Sequence, residues 1–342
     1  MRATAVRTRP PADDVLTSCA ALTEPALRAA VEALPRALHP MTGYHRVRAA
    51  AGPEAGGSPA GRDAAIRSAL ALLSCAVVSG RPEPAVPAAV AVELVHDFSL
   101  LLDEEADGRA RPRRPTAWTV VGTGPAVLAG DALLTRALEV LAAAPPAAGR
   151  LLTGAVQELV DGRAADLALA RRGAVTPAEC LATAGATTGA LLGAACALGA
   201  MLGGAGPERV RDMDRFGRHL GVALRIGDDL LGIRAVPTVA GRPGPHDLRR
   251  RRTSLPVVAA LASGTPAGRE LRDLHDRAGE LTGRDLARAA EMVERGGGRQ
   301  WCTDRADELL RRALALLPEG PGPAGAAAHL RHVAELVARR DR

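Results

Sequence analysis

From Leu181 to Pro207 the chain carries no charged side chain. A helix of that length can span a bilayer, so the segment must be hidden either in lipid or among other helices. Its composition favours the second. Alanine, glycine and threonine dominate, leucines are few, and glycines recur at spacings that let helix backbones approach closely. A helix that is apolar on every side needs cover on every side. The segment therefore reads as the buried member of a helical bundle, and no transmembrane segment is expected.

The rest of the 342 residues fit such a bundle. Hydrophobic residues make up 47%, much of it alanine and leucine, while aromatics are only 1%. Alanine and leucine favour helix, whereas strands draw on β-branched and aromatic residues. The expected fold class is all-α, with one large helical domain over residues 16–317. Residues 1–15 read as a flexible basic arm, and 318–342 as a linker and C-terminal helix. Apolar periodicity and Gly/Pro breaks predict helices over 22–38 (interrupted by Pro25 and Pro35), 64–78, 88–107, 126–144 and 151–171. Further helices are predicted from Pro177, from Pro207 to about Ile233, and from Leu255, then over 267–278, 283–295, 302–316 and 326–339. The stretch 49–61 reads as a loop.

Net charge is +6, and every basic residue apart from histidine is arginine. A basic balance suits an anionic partner. The arginines are scattered with few aromatics beside them, so no nucleic-acid partner is expected. Five cysteines lie far apart with no C-x-x-C, as in a cytoplasmic protein with reduced, buried thiols. No apolar run follows the N-terminal arginines, so no signal peptide is expected.

The chemistry concentrates in two helices. Glu93 to Thr116 runs from an apolar helix into Asp103, Glu104 and Asp107, and then into an arginine cluster. At 100° per residue, Asp103 and Asp107 share a face, and His96 lies within about 20° of Asp103. Alone, this could be a solvated acidic helix end. A second carboxylate pair, Asp228-Asp229, sits in the otherwise apolar run Gly221–Gly232. Ionised carboxylates are costly to bury unless paired or metal-bound. Two acidic helix faces could clamp a magnesium-bound diphosphate, since magnesium takes hard oxygens from one or two carboxylates plus phosphate and water.

At these residues the chain resembles the trans-isoprenyl diphosphate synthases, over roughly residues 40–317. Asp103-Glu104-Glu105-Ala106-Asp107 is similar to the family's first D-D-x-x-D motif, and Asp228-Asp229-Leu230-Leu231-Gly232 to its second. Gly162-Arg163-Ala164-Ala165-Asp166-Leu167 resembles G-Q-x-x-D-L, and the run from Asp247 to Pro256 resembles a basic segment before a further helix. The resemblance implies an all-α bundle around a deep apolar pocket, usually homodimeric. It implies magnesium-dependent condensation of isopentenyl diphosphate with an allylic prenyl diphosphate. By position, Asp103, Asp107 and Asp228 would ligate magnesium with Asp229 in support. Arg67 and His96 would hold isopentenyl diphosphate. Arg111 and Arg113 would bind the diphosphates, with Thr188, Arg225, Arg242 and Arg252 at further phosphate positions. Phe98 and Ser99 occupy the chain-length positions before Asp103, and an aromatic there implies a geranylgeranyl-range product.

The departures are specific. Glu104 replaces an aspartate, Gly232 the last aspartate of the second motif, and Thr187 the lysine of a K-T pair. No lysine precedes Arg67, where Asp63 and Ala64 stand, and Arg225 replaces a glutamine. Arginine can serve phosphate as a cation, but its planar fork is aimed differently from an ammonium. Two rivals follow: a class I terpene cyclase, and a catalytically weakened regulatory subunit of a prenyl synthase. Cyclases commonly stabilise carbocations on aromatic faces, and this chain has few to offer.

Overall fold

In the computed structural model, the described residues are 12–42, 59–106, 122–172, 174–233, 248–249, 254–277, 279–320 and 323–339. All regular structure among them is helical, in agreement with the all-α expectation. The major helices are α1 (Ala12–Glu32), α2 (Pro59–Ser79), α3 (Val86–Ala106), α4 (Thr123–Val140) and α5 (Pro146–Leu169). Then come α6 (Pro177–Ala184), which passes through a π-helical turn (Gly185–Gly189) into α7 (Ala190–Leu202), and α8 (Pro207–Gly232). Finally α9 (Leu255–Ala262), α10 (Pro266–Asp276), α11 (Gly283–Arg295), α12 (Gly298–Leu314) and α13 (Ala326–Ala338) close the chain.

Several boundaries differ from the sequence expectation. α1 starts at Ala12, inside the span read as an arm, and carries Pro25 within it. Pro25 is exposed, while Leu16, Leu27 and Ala30 of the same helix are buried. Core packing on that face outweighs the one backbone bond that proline removes. α2 begins at Pro59, within the stretch read as a loop. Pro at a first helical turn loses only an amide that has no helical partner.

The uncharged segment is the centre of the bundle. α7 packs against α2, α3, α5 and α8, and every residue from Ala190 to Ala200 is buried. The spans Glu83–Leu102 and Pro177–Leu202 are long and apolar enough to cross a membrane, but 72% of each window is buried inside the protein. Protein takes the place that lipid would have. α6 opens with a capping box: Thr176 accepts from the Glu179 amide, and Glu179 reaches back to the Thr176 amide.

Glycines set the spacing of the central helices. A Cβ at Gly199 would lie 2.0 Å from the Ala71 carbonyl oxygen, and one at Gly203 2.9 Å from that of Cys75. A Cβ at Gly217 would lie 2.2 Å from the Leu192 oxygen, and one at Gly221 2.5 Å from that of Thr188. These pairings also give direction. Residue numbers rise together between α2 and α7, so the two run parallel. They run oppositely between α7 and α8, so those are antiparallel. α2 and α3 form a helical hairpin across the short link 80–85, bridged by Arg67 and Glu93. The C-terminal ends of α3 and α8 therefore fall at one end of the bundle, beside the π-helical turn.

The close approach has a measurable consequence. Alanine in a helix interior is ordinarily worth about 1 kcal/mol over glycine. Gly154, with nothing near an added Cβ, should gain up to that amount as Gly154→Ala. Gly217→Ala should instead lose about 2 kcal/mol, because overpacking against the Leu192 backbone exceeds the propensity gain. Urea unfolding of the two variants reads the difference in sign.

Candidate active site

Asp103 lies in the last turn of α3, though its side chain is outside the described ones. Asp107, Arg111, Arg113, Arg242 and Arg252 also lie outside the described residues. The other site residues can be placed in detail.

Asp228 and Asp229 stand near the C-terminal end of α8 and differ sharply. Asp228 is exposed, while Asp229 is buried at 7% relative exposure. Neighbours on a helix point about 100° apart, so one carboxylate faces out and the other in. The Asp229 Oδ1 accepts from Arg225 Nε at 3.0 Å, and its Oδ2 accepts from the Leu255 amide at 2.9 Å. Cys180 of α6 lies in the same field. Its thiol is pushed up to about 12, first by burial, then by the negative charges of Asp229 and Asp166, with Arg225 opposing. Asp166, from the G-R-A-A-D-L run of α5, is thereby brought to the same neighbourhood as the second acidic pair.

The π-helical turn lines this end. Thr187 is buried, and its hydroxyl donates to the Thr183 carbonyl at 2.7 Å. Thr188 is half-buried, with its carbonyl against Gly221. Gly162 of α5 admits the turn, since a Cβ there would meet Ala186 at 2.8 Å and Thr187 at 2.9 Å. A polar residue is thus buried at the K-T position by satisfying itself on its own helix.

On α3, His96 is half-buried, and Ser99 is buried with its hydroxyl donating to the His96 carbonyl at 2.8 Å. Phe98 is buried with its ring against α4, where a Cβ on Gly130 would come within 3.2 Å of it. Arg67 is buried as well. Its Nε and Nη2 donate to Glu93 Oε2 at 3.2 and 3.0 Å, while Glu93 Oε1 accepts from the Ser68 amide at 3.2 Å. The sequence reading missed Glu93 as the partner of Arg67. Its signal was available: Glu93 is a lone acidic residue in the apolar run Val86–His96, which obliges it to find a cation once buried. The reading also missed Arg218, which forks onto Glu158 at 2.6 and 2.9 Å and reaches Asp214 at 2.8 Å, tying α5 to α8.

Among the described residues no group of three or more His, Cys, Asp or Glu side chains converges as a protein-built metal cage would. The exposed carboxylate of Asp228 is nevertheless the hard donor that magnesium takes. Magnesium commonly keeps only one or two protein carboxylates and fills its shell with phosphate and water oxygens. The donor set fits an ion that arrives with a diphosphate. Two surface depressions, of about 470 Å³ at Gly206–Asp212 and about 460 Å³ at Leu138–Thr153, lie away from these carboxylates.

Comparison with known proteins identifies the family. Residues 60–293 match the family model described as polyprenyl synthetase. The chain is 38% identical over 331 residues to a (2E,6E)-farnesyl diphosphate synthase of Mycobacterium tuberculosis, covering 94% of this chain and 91% of the relative. It is also 38% identical over 301 residues to a geranylgeranyl diphosphate synthase of the same organism, covering 86% and 85%. Among solved structures, the polyprenyl synthetase from Streptomyces coelicolor has a TM-score of 0.85 at 38% identity, over 95% of this chain and 98% of the other. With its two acidic helix ends at one end of an all-α bundle, the chain belongs to the polyprenyl synthetase family, the trans-isoprenyl diphosphate synthases.

Proposed function

We propose that this chain is a trans-prenyltransferase that joins isopentenyl diphosphate head to tail with an allylic diphosphate, releasing inorganic diphosphate. The observation that carries the reading is the arrival of α3, ending in the first acidic motif, and α8, ending in the second, at one end of the bundle. Asp103, Asp107 and Asp228 would hold magnesium there. Magnesium, when bound, supplies the Lewis-acid charge that lets diphosphate leave. Arg67 and His96 hold isopentenyl diphosphate, and Arg111, Arg113, Thr188, Arg225, Arg242 and Arg252 supply further phosphate contacts. The apolar faces of α3 and α7 keep water from the allylic cation until the isopentenyl double bond attacks and a proton is lost.

Product length belongs to α3. The farnesyl and geranylgeranyl synthases above share the same 38% identity with this chain, over 331 and 301 residues. Phe98, five residues before Asp103 and walled by Gly130, supports a geranylgeranyl-range product. Purified protein with magnesium, isopentenyl diphosphate and geranyl or farnesyl diphosphate should yield a longer linear diphosphate, read by chromatography after dephosphorylation. A hydrocarbon made from one allylic substrate alone would favour the cyclase reading. No product together with no magnesium-dependent ligand binding would sink both.

The reading includes a homodimer. Val127 (48% exposed) and Leu138 (41%) lie within about 20° of each other on the outer face of α4. Val160 and Leu167 form a similar exposed pair on α5. Exposed large apolar side chains on the outer faces of two helices support an association surface there. The double substitution Val127→Arg/Leu138→Arg should halve the mass measured by light scattering to that of a 35.2 kDa chain. An unchanged mass would place the contact elsewhere.

A further inference from the structure

We propose that Asp229 is a positioning residue: its carboxylate joins the Arg225 guanidinium to the first amide of α9, and leaves metal binding to its neighbour Asp228. The inference rests on the prenyltransferase reading for its consequence, and on contacts alone for its geometry.

The contacts divide the two acids. Asp228 is exposed, and Asp229 is buried with each oxygen already accepting a bond, from Arg225 Nε and from the Leu255 amide. The amide matters because α9 is poorly capped by its own chain. Ser254 holds the N-cap position but makes no side-chain cap bond, and its buried hydroxyl has no partner among the described residues. Pro256, the second residue of α9, has no amide hydrogen to offer. The Asp229 carboxylate, reaching from α8, therefore serves as the cap. Its negative charge also suits the positive end of the α9 dipole.

The cap stands close in sequence to a cationic segment. The run Arg249–Arg252 ends three residues before Leu255, the first residue of α9. Buried Leu248 and buried Leu255 anchor the chain on its two sides. Pinning the Leu255 amide fixes where α9 begins. The same carboxylate commits Arg225 Nε, which sets the direction of a guanidinium one turn before the acidic pair. One buried acid thus holds both the start of α9 and the Arg225 guanidinium beside one exposed acid.

The test compares Asp229→Asn, Asp229→Ala and Asp228→Asn in the full chain. In unliganded protein, hydrogen exchange at the Leu255 amide should speed up by about fivefold or more in Asp229→Ala, and by less in Asp229→Asn, which keeps an acceptor. Calorimetric titration with magnesium and inorganic diphosphate should show Asp229→Asn within about threefold of the wild type, and Asp228→Asn weaker by at least about tenfold. In turnover, Asp229→Asn should raise KM for the diphosphate substrates while the magnesium half-saturation point stays in place. An unchanged Leu255 exchange rate in Asp229→Ala would overturn the proposal. So would a loss of magnesium affinity in Asp229→Asn equal to that in Asp228→Asn. A wild-type protein that binds no magnesium diphosphate would overturn the functional reading instead, while the exchange measurement still confirms or refutes the Asp229 cap.

Discussion

Asp228→Ala is expected to lower the condensation rate by about a thousandfold or more while leaving the fold intact. The side chain is exposed near the end of α8, and exposed positions of this kind usually change stability by no more than about 0.5 kcal/mol. Its proposed work is different. A Lewis-acid metal contributes several kcal/mol to a charge-separating step. Each 1.4 kcal/mol is about tenfold in rate, so losing about 4 kcal/mol costs about three orders of magnitude. Asp103→Ala should act alike from the opposite helix. Steady-state turnover and thermal unfolding of the same samples check both halves. A rate within about tenfold of the wild type, at unchanged melting temperature, would remove Asp228 from the metal site.

The carboxylate helices, the bundle and its buried centre were all legible in the sequence, because each rests on a local pattern. The charge-free stretch Leu181–Pro207 could only be a covered helix, and α7 is covered on its sides by four others. The acidic pairs could be assigned to helix ends from breakers alone. What was not legible depended on tertiary distance. Arg67 and Glu93 are 26 residues apart, as are Asp229 and Leu255, and only the packed hairpin or bundle brings either pair together. The π-helical turn has no signature in Gly185–Gly189. It goes with backbone contacts from Gly162 and Gly221, whose missing side chains read equally well as helix weakness. The helix starts at Pro59 and Pro146 lie earlier than the breaker pattern predicts, because each proline is the first helical residue and not a break before the helix.

Glu93→Ala is expected to cost about 3–5 kcal/mol of stability, among the largest single losses available in this chain. The Arg67–Glu93 pair has side-chain exposures of 9% and 3%. Removing the acid leaves a guanidinium buried without its counter-charge and strips an acceptor from the Ser68 amide. Chemical denaturation should show the loss as a lowered midpoint at unchanged slope. Burying two charges is itself costly, and matched apolar replacements often recover stability. Arg67→Met/Glu93→Leu should therefore return to within about 1–2 kcal/mol of the wild type, although each single change is destabilising. That recovery separates two reasons for keeping the pair. If it only holds α2 to α3, the double variant will be stable and fully active. If Arg67 also binds isopentenyl diphosphate, the stable double variant will show a KM for that substrate raised by about tenfold or more, since a hydrogen-bonded charge contact to phosphate is worth about 1.5–3 kcal/mol. The second outcome is the expected one, because a pair kept for stability alone gains little over two well-packed apolar side chains.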